Sequence, residues 1–219
     1  MDPAYTQPGT FVDSDAPEVL TFARKAVGSA TDPVERAVRL FDAVRDRIWY
    51  DPFGITPDPA AYRASAVATS QANWCVPKAV LLTAAARAVG IPARLGFADV
   101  RNHFQTPRLR ARMGGSDVFV YHGYSDLYLD GRWVKATPAF NAELCARFGV
   151  PPIAFDGRQD ALLHAFAADG SAYMEYERDR GVHADLPLDE VLDALTSTYG
   201  QEMLVPSTGR ATDAFSAPT

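Results

Sequence analysis

Cys75 and Cys145 are the two thiols of the 219-residue chain, and His103, His122, His164 and His183 are its four imidazoles. Sulfur attacks an acyl carbon as a thiolate, or as a thiol with a base beside it, so surroundings decide which cysteine can do chemistry. Cys75 stands in Asn73-Trp74-Cys75-Val76-Pro77-Lys78. Proline fits the first turn of a helix, which predicts a helix starting close to Cys75. Unpaired backbone N–H groups and the positive end of the helix dipole would there favour a sulfur anion. The Cys75 N–H could donate to an oxyanion, with the side chain of Gln71 or Asn73 as a second donor and Trp74 covering the site from water. Position alone does not separate this from a small buried hydrophobe, the commoner fate of a lone cysteine. Cys145, in Glu143-Leu144-Cys145-Ala146-Arg147, has no cap or proline signal and is read as that hydrophobe.

A base for the thiol must be held rigidly. His122 lies in Val118–Leu129 (VFVYHGYSDLYL), the strongest strand pattern of the chain. His103 reads as a surface-loop residue. Asp156, Asp160, His164, Glu175, Glu177 and His183 are of metal-ligand type but have no ligand spacing, and the two cysteines form no CxxC pair, so no metal and no cofactor is expected.

The elements that must position these groups can be read from pattern. A first helix is expected from Ser14 or Asp15 to about Val27, with Pro17 in its first turn. Asp32 and Pro33 open a second, whose apolar face is Val34, Ala37, Val38, Phe41, Val44 and Ile48. Pro52, Gly54, Pro57 and Pro59 mark residues 51–62 as a loop. The helix begun near Cys75 carries Val80, Leu81, Ala84, Ala85 and Ala88, and stops at Gly90 before Pro92, so it is expected to be central and buried. A strand follows at Arg94–Val100. Val118–Leu129 then turns through Asp130-Gly131 into Arg132–Thr137 as an antiparallel hairpin. A short helix near Ala161–Phe166, a strand around Met174–Tyr176 and a helix at Leu188–Tyr199 complete the reading. Helices followed by an antiparallel sheet make an α+β fold. Residues 1–14 are expected to form an extended arm, 15–205 a single domain, and 206–219 a disordered tail.

Composition narrows the partners. A hydrophobic fraction of 47% supports a folded core, and a net charge of −6 with scattered basic residues argues against nucleic acid. The Arg108-Leu109-Arg110-Ala111-Arg112 cluster reads as a solvated loop, able at most to meet an anionic substrate or carrier protein. No apolar run reaches membrane-spanning length, and the N-terminus has no signal-peptide pattern, so a cytoplasmic protein with reduced thiols is expected.

The run from Cys75 to Leu82, continuing through Ala86-Arg87-Ala88-Val89-Gly90-Ile91-Pro92-Ala93-Arg94, resembles the cysteine motif of the transglutaminase-like superfamily. His122 with Leu127-Tyr128-Leu129-Asp130-Gly131-Arg132-Trp133-Val134 is similar to that family's histidine strand, hairpin and tryptophan strand. The two motifs stand in the family's order and span about residues 35–141. The resemblance implies a papain-like arrangement, with the cysteine at a helix N-terminus facing a histidine on an antiparallel sheet. It further implies an acyl-enzyme on Cys75 with His122 as base. Family sites usually follow the tryptophan with an aspartate and a proline; here Trp133-Val134-Lys135-Ala136-Thr137-Pro138 puts Thr137 in that slot. Asn141 is a second candidate for orienting the imidazole, as in papain-like proteases, and Asp126 and Asp99 are further ones. The expected function is cysteine-dependent hydrolysis or acyl transfer on an amide or thioester of a peptide, protein or small acyl substrate. The segments 51–73 and 101–117 are expected to line the cleft. The competing expectation is a catalytically impaired binding module, because a threonine cannot stabilise imidazolium as a carboxylate does.

Overall fold

The computed structural model describes residues 2–103, 105–147, 149–162 and 174–206. His164, positions 163–166 of the expected short helix, and the tail from 207 lie outside them. Helix α1 (Pro17–Val27) and helix α2 (Pro33–Arg47) both start on proline, and the Asp32 side chain caps α2 by accepting from Glu35 N–H at 2.9 Å. Short strand β1 (Trp49–Tyr50) pairs in parallel with β2 (Ala72–Asn73), across a connection that contains helix α3 (Ala64–Thr69). Helix α4 (Cys75–Ala88) follows directly. Strand β3 (Ala93–Asn102), helix α5 (Pro107–Arg112), strand β4 (Val118–Leu129) and strand β5 (Arg132–Ala136) come next. Helix α6 (Ala142–Arg147), strand β6 (Met174–His183) and helix α7 (Leu188–Tyr199) end the series. Asp130 and Gly131 turn β4 into β5 with φ of 48° and 83°, as a two-residue hairpin requires.

The main sheet is antiparallel in the order β5-β4-β3-β6. Helix α4 is its counterpart: every residue from Cys75 to Arg87 is buried, with α1, α2 and α3 on one side and β3 and β4 on the other. Small side chains allow this close approach. A Cβ on Gly123 would stand 3.1 Å from Val76 Cα and 3.4 Å from Ala79 Cβ. Two residues on, Ser125 Oγ donates to the Ala79 carbonyl and accepts from Thr83 Oγ1, both at 2.9 Å. Those buried hydroxyls pin the helix to β4 and leave neither orphaned.

Three expectations are corrected. The arginine cluster at 108–112 is helix α5, opened by Thr106 Oγ1, which accepts from Leu109 N–H at 3.3 Å. The strand at Met174–Tyr176 extends to His183 as an edge strand. Ala161, expected to be helical, forms a parallel bridge to Ala136. The N-terminal segment is held on the body: Asp185 accepts from the N–H groups of Thr10, Phe11 and Val12, and Arg87 donates to the carbonyls of Gln7, Ala93 and Ala184. Among the described residues no helix is long and apolar enough to cross a membrane.

Candidate active site

Cys75 is the first residue of α4, with Trp74 at the N-cap in extended conformation. Its sulfur has the backbone N–H groups of Gly123, Val76 and Cys75 itself within hydrogen-bonding reach, and Lys78 adds a favourable charge one turn on. All four favour a thiolate, as the helix-start argument expects. Burial outweighs them. Only 4% of Cys75 is exposed, and desolvation pushes the thiol up to about 12, so at rest the group is a thiol.

His122 sits on β4 immediately before Gly123, the residue that packs on Val76 at the start of α4. Burial alone brings the imidazole down to about 4, so it rests neutral. Its Nε2 is buried and has no hydrogen-bond partner among the described residues. A neutral imidazole has the protonation that general-base removal of a thiol proton needs.

The backbone just before His122 is unusual. The β3–β4 register slips between Ala98 and Val100, and Tyr121 takes φ of 54°, a left-handed conformation that costs energy for a bulky residue. Asp99, opposite the bulge, accepts from Tyr121 N–H at 3.1 Å and makes a bidentate pair with Arg180 at 2.7–3.0 Å. Arg180 in turn lies 4.8 Å from the Tyr121 ring centre, and the Tyr121 hydroxyl bonds Glu190 at 3.2 Å. Asp99 was a candidate for a direct imidazole partner. Its hydrogen bonds instead go to Tyr121 and Arg180, which fix the bend leading into His122.

The other candidates for the third position separate as clearly. Thr137 is 1% exposed, and its Oγ1 is buried without a hydrogen-bond partner among the described residues. Extending the β4–β5 register one residue past Ser125↔Ala136 places Thr137 opposite Tyr124, diagonal to His122 on one face of the sheet. Two unpartnered polar atoms, His122 Nε2 and Thr137 Oγ1, thus belong to neighbouring positions. Asn141 is corrected as an imidazole partner: its Oδ1 accepts from Tyr50 N–H at 2.6 Å, and its Nδ2 donates to the Arg45 and Ile48 carbonyls. That amide is spent on the α2–β1 junction. Asp126 is bound to Arg94 at 2.8 Å, and Arg94 stacks 4.0 Å from the Trp133 ring centre.

Beyond the thiol, Trp74 is buried and packs edge-on against Tyr62 at 6.1 Å. Both, with Asn73 and Pro77, line a small cleft of about 80 Å³. Asn73 Oδ1 accepts from Trp74 N–H at 3.2 Å, whereas Gln71 is exposed and holds β1 through its carbonyl, which accepts from Trp49 N–H. Of the two side chains, Asn73 is therefore the one at the cleft. A larger cleft of about 630 Å³ lies between the loop bearing Phe53, helix α5 and the end of α7. Among the described residues no group of three or more His, Cys, Asp or Glu could hold a metal ion.

Three residues at the site escaped the sequence reading. Lys78 is fully buried and donates to the carbonyls of Arg45 (2.9 Å) and Ile48 (2.6 Å), closing the end of α2; burial lowers its pKa well below the usual lysine value. Tyr199 donates to the Val118 carbonyl at 2.6 Å and accepts from Val120 N–H at 2.7 Å, bracing β4 just before the bulge. Gly123 lets α4 approach. Only Gly123 left a signal, as a glycine inside a strand pattern.

The transglutaminase-like superfamily model matches residues 20–138, slightly more than half of the chain and the part that holds Cys75 and His122. No curated protein matches the chain. Among solved structures, a protein from Cytophaga hutchinsonii provisionally named a cysteine protease shares 18% identity at a TM-score of 0.46, with 82% of this chain and 53% of that one covered. An arylamine N-acetyltransferase from Mycobacterium abscessus shares 16% identity at a TM-score of 0.41, over 62% of this chain and 48% of the other. The chain thus spans about half the length of each.

Proposed function

We propose that this chain, which belongs to the transglutaminase-like superfamily, is an enzyme that transfers or hydrolyses an acyl group through Cys75, with His122 as the base. The observation that carries the reading is the close packing of Gly123, the neighbour of His122, on Val76, the neighbour of Cys75, at the start of a buried helix. As sulfur bonds to the acyl carbon, the imidazole takes the thiol proton. It returns that proton to the departing amine or thiol as the C–N or C–S bond breaks, and water or an amine then releases the acyl group. The Cys75 N–H and the Asn73 amide are the oxyanion donors in this scheme. The substrate is an amide or thioester of a peptide, protein or small molecule, handled in the cytoplasm, where both cysteines stay reduced.

A direct test is a panel of aryl amides and thioesters assayed with wild type, Cys75→Ala and His122→Ala. Turnover of at least one class, lost in Cys75→Ala and reduced at least a hundredfold in His122→Ala, is expected. A second reading, a binding module of the same family, is favoured by the unpartnered Thr137 Oγ1 and the high thiol pKa. It predicts no turnover of any member of the panel.

A further inference from the structure

The cleft of about 630 Å³ is lined by Phe53, Arg108, Arg112, Tyr199 and Glu202. It shares its Phe53 loop with the smaller cleft beside Trp74, which Asp51 and Gly54 also line. The two clefts thus adjoin at this loop, the smaller one bordered by Trp74, the residue before Cys75.

Its charge is uneven. Arg112 is half-buried and held from behind, with one terminal nitrogen donating to the carbonyls of Met203 (3.2 Å) and Val205 (2.6 Å). Its Nε has no hydrogen-bond partner, and the side chain makes no ion pair, among the described residues. Asp51 and Glu202 act on it only at a distance, and Asp51 is engaged by Phe53 N–H at 2.9 Å. Arg108, one turn earlier on α5, spreads its guanidinium 5.3 Å from the centre of the buried Phe53 ring. A fixed guanidinium with no carboxylate partner, flanked by a second one resting on an aromatic floor, is suited to a planar or tetrahedral oxyanion.

We infer that this cleft binds an anionic group, a carboxylate or phosphate, carried by the acyl substrate, with Arg112 and Arg108 as its ligands. The inference rests on the reading of Cys75 as nucleophile only for the word substrate; the anion site is testable without it.

Calorimetric titration of the Cys75→Ala protein with succinate, inorganic phosphate and neutral succinamide is the first arm. At least one anion is expected to bind at least tenfold more tightly than succinamide, and whichever anion it is identifies the chemistry. Arg112→Gln and Arg108→Gln should each weaken that binding at least tenfold, with Arg112→Lys losing less. Arg108 is exposed, so its variant serves if Arg112→Gln does not fold. No anion binding, equal binding of succinamide, or an affinity unchanged in Arg108→Gln overturns the site. The second arm compares alkylation of wild-type Cys75 by iodoacetate and iodoacetamide. The iodoacetate-to-iodoacetamide rate ratio should exceed that of glutathione at least tenfold and fall in Arg112→Gln. If anions bind but neither reagent modifies Cys75, the anion site stands and the nucleophile reading falls. If both reagents react with the ratio of a free thiol, the site is not on the path to Cys75 and the inference fails.

Discussion

Gly123, the residue after His122, stands directly against Val76, the residue after Cys75, so the helix that carries the thiol and the strand that carries the imidazole meet there. Close approach makes the contact possible, because an added Cβ on Gly123 would press on the Val76 backbone at 3.1 Å and its Cγ2 at 3.3 Å. Gly123→Ala should therefore push the start of α4 off β4. The expected cost is about 1–3 kcal/mol of stability, read by chemical denaturation, with at least a tenfold slower alkylation of Cys75. Unchanged reactivity would show that the contact does not set the thiol's surroundings.

Thr137 presents a buried hydroxyl with no partner among the described residues, and His122 Nε2 is equally unpartnered. Thr137→Val removes the orphaned oxygen and should leave stability unchanged or raise it by about 1 kcal/mol, since no hydrogen bond is lost. Thr137→Asp restores the carboxylate usual in the family. It should raise the imidazole pKa above its present value of about 4 and speed Cys75 alkylation at neutral pH about tenfold or more, at some cost in stability. Titration of the His122 ring by NMR, alongside the alkylation rate, checks both.

Asp99 holds the bend before His122 through Tyr121 N–H and Arg180. Removing it strands a half-buried guanidinium and frees a backbone that sits at φ of 54°. Asp99→Ala should cost about 2–4 kcal/mol and lower the Cys75 alkylation rate; Asp99→Asn, which keeps an acceptor for Tyr121, should lose less of both. Equal losses in the two variants would mean that the hydrogen bond to Tyr121 is irrelevant to the site.

The placement of these groups was legible to different depths. Asp32-Pro33, Pro17, Gly90-Ile91-Pro92 and Asp130-Gly131 announce helix starts, a helix stop and a hairpin through local backbone chemistry, although α1 starts on Pro17 itself, after an Ala16 N-cap, and not at Ser14 or Asp15. Strand β6 carries Glu175, Glu177, Arg178 and Asp179 on an edge open to solvent, so it lacks the apolar alternation that marks a strand. Helix α5 had its signal in Thr106-Pro107, masked by the arginines that follow. Asn141 and Lys78 were out of reach for another reason. Their partners, Arg45, Ile48 and Tyr50, lie 30–96 residues away, and no local pattern reports such pairings. Burial, which a sequence does not quantify, raises the Cys75 pKa against the lowering effect of the helix start.

Burial of a neutral His122 has a consequence for pH. The folded imidazole titrates at about 4, below the 6.5 of an unburied one, so between these values the unfolded chain holds a proton that the folded chain does not. Stability contributed by the neutral ring is complete above about pH 6.5 and is lost as pH falls toward 4, to a limit of about 3 kcal/mol. Urea denaturation at pH 7, 5.5 and 4 should show this decline in wild type and a shallower one in His122→Gln. Parallel curves would show that His122 is not buried in its neutral form.

Whether Cys75 is a nucleophile served by His122 is decided by limited alkylation with iodoacetamide at pH 7 and peptide mapping of the adduct. Modification of Cys75 ahead of Cys145 is expected, at a rate above that of a simple thiol with a comparably high pKa, and at least tenfold slower in a folded His122→Ala variant. Modification of the two cysteines at equal rates, or a Cys75 rate unchanged by loss of the imidazole, would contradict it.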